Sequence, residues 1–183
     1  QQREILLHLP MESADHDRRL DEGGLTQQQP EEEIRARVNA AIAAVPHAIG
    51  LNNHMGSGLT TDPRRMGWVM EEVRRTPLFF IDSMTSAESV AGSTARRLQI
   101  PAIRRDIFLD NQPDTIAIDA AFQLLLQKAR RDGYAVAIGH PHAATLRYLE
   151  QALPQLAAQG IELVPVSRLA YQYGRALDPP GRW

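Results

Sequence analysis

Short apolar runs alternate along the chain with longer segments in which apolar residues recur at helical spacing. The apolar runs cover residues 4–9, 48–51, 78–81, 101–104, 135–139 and 161–164, and the helical segments cover 30–45, 61–75, 86–98, 114–131, 143–158 and 167–171. Alternating strands and helices indicate a parallel sheet with crossover helices. Ungapped apolar strands are typical of burial on both faces. The sequence therefore predicts an α/β fold, a distorted or incomplete (β/α) barrel with mostly parallel strands.

Several features refine this architecture. Pro30 and three following acids open one helix, because proline suits the first helical position and acids suit the first turn. Pro154 is predicted to bend or split the segment 143–158. Residues 11–29 form a long polar loop, and a loop of this length is either functional, for example a lid, or disordered. We expect a single domain over residues 1–174 and an unstructured tail at 175–183.

Composition excludes some classes of function. The chain has 183 residues, a formal net charge of −2 and no cysteine, so disulfides and thiolate metal sites are excluded. Its basic residues are scattered, which argues against binding nucleic acid. No apolar run approaches the ~20 residues that span a bilayer. Because Gln1 leads almost directly into the first apolar run, we expect an upstream segment that carries a further strand.

Polar side chains cluster where predicted strands end. The stretch Gly50–Ser57 contains two amides, an imidazole and a hydroxyl, and His8, Asp82 and His140 end three other strands. Because α/β folds place chemistry at this edge, the main hypothesis is that these four ends converge on one metal-assisted hydrolytic site.

Each of these residues also has a structural interpretation. His8 could be a hydrogen-bonded core histidine, and Asp82 could cap the next helix. His142 could simply precede its helix in solvent. The charged residues 104–106 and Asp110 could hold a polar substrate or pair with each other on the surface.

The histidines suit a metal site. Zinc without thiolates takes nitrogen and oxygen ligands, usually three from the protein plus water at a catalytic centre. His8 and His54 would supply two, and the third is expected in the upstream strand. A helix N-terminus after His140 would favour its neutral ring.

Five motifs, spread over nearly the whole chain, carry a family resemblance. They are Leu7–Glu12, Gly50–Ser57, Phe80–Ser83, Phe108–Asp110 and Ile138–His142. With them the chain resembles the divergent polysaccharide deacetylases of bacteria, which are related to carbohydrate-esterase deacetylases with a distorted β/α barrel.

The resemblance implies a metal-dependent hydrolase that removes N-acetyl, or less commonly O-acetyl, groups from a cell-wall or extracellular polysaccharide such as peptidoglycan. It implies a divalent metal, zinc, with His8 and His54 as ligands, and an aspartate pair upstream of Gln1. Glu12 stands where relatives carry a second histidine, and His54 could restore the ligand set. His140 matches the general acid, oriented by Asp82 or another carboxylate. Family members are usually periplasmic or secreted.

Four residues are predicted to bind substrate: Asn53 and Ser57, which could contact the oxyanion or sugar hydroxyls, and His142 and Glu12. Two other functions stay open at this point. The chain could be a catalytically inactive relative that binds cell-wall glycan, which the change at Glu12 favours. It could also be a different barrel metallohydrolase, acting on a phosphoester or a cyclic amide.

Overall fold

The computed structural model describes residues 3–15 and 19–174, so the predicted tail at 175–183 lies outside the described residues. The chain divides into two compact units, Gln1–Arg104 with Val166–Trp183, and Arg105–Pro165. The single domain over residues 1–174 stays a prediction.

The strands and helices follow the predicted alternation. The strands are β1 Leu6–Met11, β2 Gly50–Met55, β3 Phe79–Asp82, β4 Ala102–Arg104, β5 Ile107–Phe108 and β6 Ala137–Ile138. The helices are α1 Glu31–Ala44, α2 Pro63–Arg74, α3 Ala91–Arg97, α4 Thr115–Asp132, α5 Ala143–Ala152 and α6 Val166–Tyr173.

The first unit is built on a parallel sheet in the order β1-β2-β3-β4. Its core joins buried residues of the strands, such as Leu9 and Phe80, to the apolar faces of α1 and α2. Asp62 begins α2 by accepting hydrogen bonds from the backbone N–H groups of Arg64 and Arg65, which is typical of an aspartate before a proline at the first helical position. In β1 and β2, His8 lies opposite Asn52, and Pro10 opposite His54.

A buried ion-pair network joins α1 to α2 in the first unit. Glu72, with a side chain 1% exposed, accepts hydrogen bonds from Arg35, Asn39 and Arg75. Burial opposes the charge of Glu72, but the hydrogen bonds from Arg35 and Asn39 and both arginine charges lower its pKa. A carboxylate this buried requires such partners, so the network keeps the two helices in register.

The second unit pairs β5 with β6 in parallel and packs α4 and α5 around a small core of Leu109, Phe122, Leu126 and Leu156. Helix α4 ends at Gly133, which has a φ of 84°, a left-handed conformation that glycine adopts without strain. Helix α5 ends at Ala152, and Pro154 lies in a 3₁₀ turn, Leu153–Gln155. The predicted break at Pro154 is therefore confirmed.

Three predictions of secondary structure were wrong. Residues 161–164 do not form a strand: Ile161 packs against the small core, while Leu163 is 69% exposed. An apolar β-branched run becomes a strand only where a neighbouring strand pairs with it. Phe108, which lies outside the predicted strands, pairs with Ile138 in the sheet. Helix α3 begins at Ala91 rather than near Ser86.

The α/β class with parallel strands is confirmed, and the described residues contain no closed barrel. None of the helices within residues 3–15 and 19–174 combines the length and apolar character that crossing a bilayer requires.

Candidate functional site

Two predicted metal ligands of the first unit meet at the ends of neighbouring strands. His8 is in β1 and His54 in β2, and Nε2 of His8 lies 3.0 Å from Nδ1 of His54. The rings form an edge-to-face pair with centroids 4.8 Å apart. On the other side of the His54 ring, Nε2 lies 3.4 Å from Oδ2 of Asp21. The strand register accounts for the pair, since alternate residues of adjacent strands share one face.

The donor set of this pair suits a metal ion. Two nitrogens bound to one zinc at about 2.1 Å with tetrahedral geometry lie about 3.4 Å apart. The observed separation of 3.0 Å is close to that value. His8 is exposed and His54 is 34% exposed, so an ion could reach both nitrogens from solvent.

A buried amide network fixes the end of β2, where His54 lies. Asn53, 1% exposed, accepts a hydrogen bond from the backbone N–H of Ser83 and donates to the carbonyl of Met55. Ser83 donates from its hydroxyl to the carbonyl of Asn53, and Asn52 donates to the Ser83 hydroxyl. These hydrogen bonds join the end of β2 to Ser83, directly after β3, and so hold the strand end that carries His54.

The backbone after His54 turns sharply. Met55 has a φ of 52° and Gly56 a φ of 94°. The first value is uncommon for a residue with a side chain, and surrounding contacts must hold it. A Cβ on Gly56 would lie 3.0 Å from Cβ of Met11, so the positive φ favours glycine at this position and a side chain would also crowd Met11.

Three of the residues predicted to bind substrate make contacts within the protein. Asn53 belongs to the network above. Ser57 forms hydrogen bonds through its hydroxyl with the Ser13 hydroxyl and the backbone N–H of Ala14. The carboxylate of Glu12 accepts a hydrogen bond from the backbone N–H of Gln27. A substrate role for Asn53, Ser57 and Glu12 stays a prediction.

Asp82 ends β3 with its side chain fully buried. One carboxylate oxygen accepts from the backbone N–H of Met84, and the other accepts from the Ser89 hydroxyl and the backbone N–H of Gly92. Gly92 lies in the first turn of α3, so Asp82 satisfies a donor that the helix itself leaves unpaired. These contacts agree with the capping interpretation, and a catalytic role for Asp82 stays a prediction.

In the second unit a different carboxylate, Asp110, contacts the predicted general acid. Its Oδ1 lies 3.1 Å from Nδ1 of His140. Its Oδ2 accepts hydrogen bonds from the backbone N–H of His140 at 2.6 Å and from the Thr145 hydroxyl at 2.9 Å. The Asp110 side chain is 0% exposed, whereas the His140 side chain is 48% exposed.

The electrostatics of Asp110 fix which nitrogen of His140 carries a proton. Burial alone would raise the pKa of Asp110, but the His140 backbone N–H, the Thr145 hydroxyl and the His140 ring together lower it. At neutral pH the carboxylate is therefore ionised and can only accept. Nδ1 of His140 must donate to it, which leaves Nε2 for another partner.

His142 completes a cluster in the second unit. It precedes α5, is exposed, and makes no capping hydrogen bond from its side chain. Its ring centroid lies 5.4 Å from that of His140, and the Phe108 centroid lies 5.3 Å from that of His140. One ligand atom each of Asp110, His140 and His142 lie within 4.8 Å of one another, so these three side chains are a possible metal-binding triad.

From the sequence, Asp110 was expected to hold a polar substrate or to pair with other charges, and it ends one of the five family motifs, but it was not paired with His140. Thr145 was not predicted at all. The available signal was position: Asp110 directly follows the apolar pair Phe108–Leu109, as His140 follows β6. Recognising that pair as a strand would have put both side chains at one sheet edge. The expected convergence of all four strand ends stays a prediction, because the two histidine clusters belong to different units.

This chain is similar to proteins of known sequence and structure. The model of a family described as "Divergent polysaccharide deacetylase" matches residues 1–170. An uncharacterized protein of Haemophilus influenzae is 37% identical over 169 residues, which are 92% of this chain and 60% of that protein. The uncharacterized protein YibQ of Escherichia coli is 37% identical over 166 residues, 91% of this chain and 51% of YibQ. The chain thus spans little more than half the length of these relatives.

The crystal structure of an uncharacterized protein from Agrobacterium tumefaciens has the same fold. It superimposes with a TM-score of 0.87 at 24% sequence identity, over 91% of this chain and 68% of that one. At this identity the likeness concerns the fold alone.

Proposed function

Since this chain belongs to the divergent polysaccharide deacetylase family, we propose that it hydrolyses N-acetyl, or less favourably O-acetyl, groups on a cell-wall or extracellular glycan such as peptidoglycan. The observation that carries this proposal is the Asp110–His140 pair, in which a buried carboxylate holds a half-exposed imidazole. Such a pair is suited to transferring a proton at the surface of a site. Because such glycans lie outside the cytoplasm, the proposal includes a location in the periplasm or outside the cell.

His140 acts as the general acid in this proposal. Hydrolysis breaks the bond between the acetyl carbon and the sugar nitrogen, and water supplies the hydroxyl that forms acetate. The other proton of that water passes to bulk solvent, from which the His140 ring is reprotonated after the step. The leaving nitrogen needs a proton, which His140 donates from Nε2 while Nδ1 keeps its hydrogen bond to Asp110. Asp110 holds the ring and stabilises its charged form without taking the proton itself. His142, exposed beside His140, contributes a contact to the sugar.

A divalent metal, zinc by its preference for nitrogen ligands, fits His8 and His54 better than the triad of the second unit. The nitrogens of His8 and His54 face each other at 3.0 Å. In the triad, by contrast, Asp110 is fully buried and its oxygens already accept three hydrogen bonds. When bound, the metal would polarise the acetyl carbonyl and lower the pKa of a water molecule.

The experiment measures acetate release by the full-length protein from chitooligosaccharides and from peptidoglycan. Replacing the general acid in His140→Gln should lower kcat about 10²- to 10⁴-fold. His47→Gln, at an exposed histidine of the first unit, is the matched control and should keep wild-type activity. A metal-loaded full-length protein that releases no acetate, or an unimpaired His140→Gln variant, would contradict the proposal.

A glycan-binding protein without catalysis is the second candidate. By the resemblance, Glu12 stands where related deacetylases carry a histidine, and its carboxylate accepts a hydrogen bond from the backbone N–H of Gln27. Glycan pull-down separates the two functions. Retained binding by wild type and His140→Gln, with no acetate released by either, would favour the binding protein.

A further inference from the structure

The polar loop between β1 and α1 brings a carboxylate to the metal-binding histidine pair. Asp21 lies in a turn in which its carbonyl accepts a hydrogen bond from the backbone N–H of Gly24. Gly23 has a φ of 79°, which allows the chain to reverse at this point. The carboxylate of Asp21 thereby lies 3.4 Å from Nε2 of His54. No role was predicted for Asp21 from the sequence.

The position of this turn is set by the fold. Leu25, directly after the turn, is fully buried in the core of the first unit. Its N–H donates to the carbonyl of Pro10, and its carbonyl accepts from the N–H of Glu12. These two hydrogen bonds join the loop to the end of β1. Asp21 therefore lies only four residues before Leu25, whose position is fixed. Its side chain is 69% exposed, and it makes no contribution to the core.

The contact has a consequence for the tautomer of His54. A carboxylate near Nε2 favours a proton on that nitrogen, because the carboxylate can only accept. With the proton on Nε2, the lone pair of His54 is on Nδ1, the nitrogen that faces Nε2 of His8. Metal-binding histidines commonly donate their second ring N–H to a carboxylate, which orients the ring and makes the ligand more basic.

We propose that Asp21 is a positioning residue for the metal centre, holding His54 so that Nδ1 rather than Nε2 binds the ion. The proposal rests on the proposed metal site at His8 and His54. It assigns a function to the polar loop, whose role the sequence left open. The loop supplies a carboxylate that orients a ligand, and Asp21 itself does not bind the metal.

The test measures Co²⁺ affinity of the full-length protein by competition with a chromogenic chelator. Asp21→Ala should raise the dissociation constant about tenfold, the lower end of the range for partners of metal ligands, because Asp21 is exposed. Asp21→Asn keeps an oxygen acceptor and should lose less Co²⁺ affinity than Asp21→Ala. Glu22→Ala removes the same charge from the neighbouring exposed position and should bind Co²⁺ as wild type does. The thermal midpoint of the metal-free protein should be the same for all four proteins.

The outcomes separate this inference from the proposed function. A tenfold loss in Asp21→Ala alone supports the inference, even if the protein releases no acetate from any glycan. Wild-type affinity in Asp21→Ala overturns the inference, even if acetate is released. Equal losses in Asp21→Ala and Glu22→Ala would show a general effect of charge and also overturn it. A full-length protein that binds no Co²⁺ would overturn it as well.

Discussion

Both units contain a histidine at a strand end beside an aspartate, but the two aspartates are held in opposite ways. Asp110 is fully buried and accepts three hydrogen bonds, two of them from His140. Asp21 is 69% exposed, lies on a loop and approaches only one edge of the His54 ring. The same pair of residue types is thus held rigidly in the second unit, where we propose a proton donor, and loosely in the first, where we propose a metal ligand.

The difference follows from solvation. Burying a carboxylate is costly unless hydrogen bonds replace its water, so the surroundings of Asp110 must supply three donors at defined positions. An exposed carboxylate keeps its water and needs no such arrangement, and its contact with an imidazole contributes little to stability. The buried pair is therefore part of the fold, whereas the exposed pair can change without cost to the fold.

The largest expected effect is on stability. Asp110→Ala leaves the His140 N–H and the Thr145 hydroxyl without their acceptor, and we expect a loss of about 2 to 4 kcal/mol in the free energy of unfolding. Asp21→Ala should change it by less than about 0.5 kcal/mol. Urea denaturation of both variants measures the contrast. Equal losses in the two variants would remove the distinction between buried and exposed pairs.

A smaller effect concerns pH. The pKa of Asp110 is lowered in the folded protein, so its contribution to stability is present above the unfolded pKa of about 3.9 and is lost as the pH falls through the folded value. We expect the difference in unfolding free energy between wild type and Asp110→Asn to be largest near neutral pH and to shrink below about pH 4.

Measuring this difference isolates Asp110, because Asp62 and Glu72 also have lowered pKa values and contribute to acid sensitivity in both proteins. Denaturation curves at a series of pH values give the difference directly. A gap that stays constant into acid would mean that the charge of Asp110 does not stabilise the fold.

The smallest expected effect is that of His142→Ala. This residue is exposed and makes no capping hydrogen bond, so the free energy of unfolding should change by less than about 0.5 kcal/mol. The Co²⁺ affinity should also be unchanged, since we propose that His8 and His54 bind the ion. A tenfold weaker affinity in His142→Ala would instead identify the triad of the second unit as the metal centre.

Much of the fold could be predicted from the sequence, because the patterns involved are local. Helical spacing of apolar residues, Asp62 before Pro63 and the break at Pro154 all act within a few residues of chain. The failures were elements that depend on a distant partner. Residues 161–164 have the composition of a strand but none of the described strands pairs with them, and Ile107–Phe108 became a strand because Ala137–Ile138 lies beside it.

The candidate site divides in the same way. The sequence by itself determined which strand ends carry imidazoles and carboxylates, since polar residues after buried apolar runs are visible in the order of residues. Only the tertiary structure decided their partners: His54 with His8 and Asp21, and His140 with Asp110 rather than with an unnamed carboxylate. A hydrogen bond depends on distance and angle between atoms that are 30 or more residues apart in the chain, and no local pattern encodes that separation.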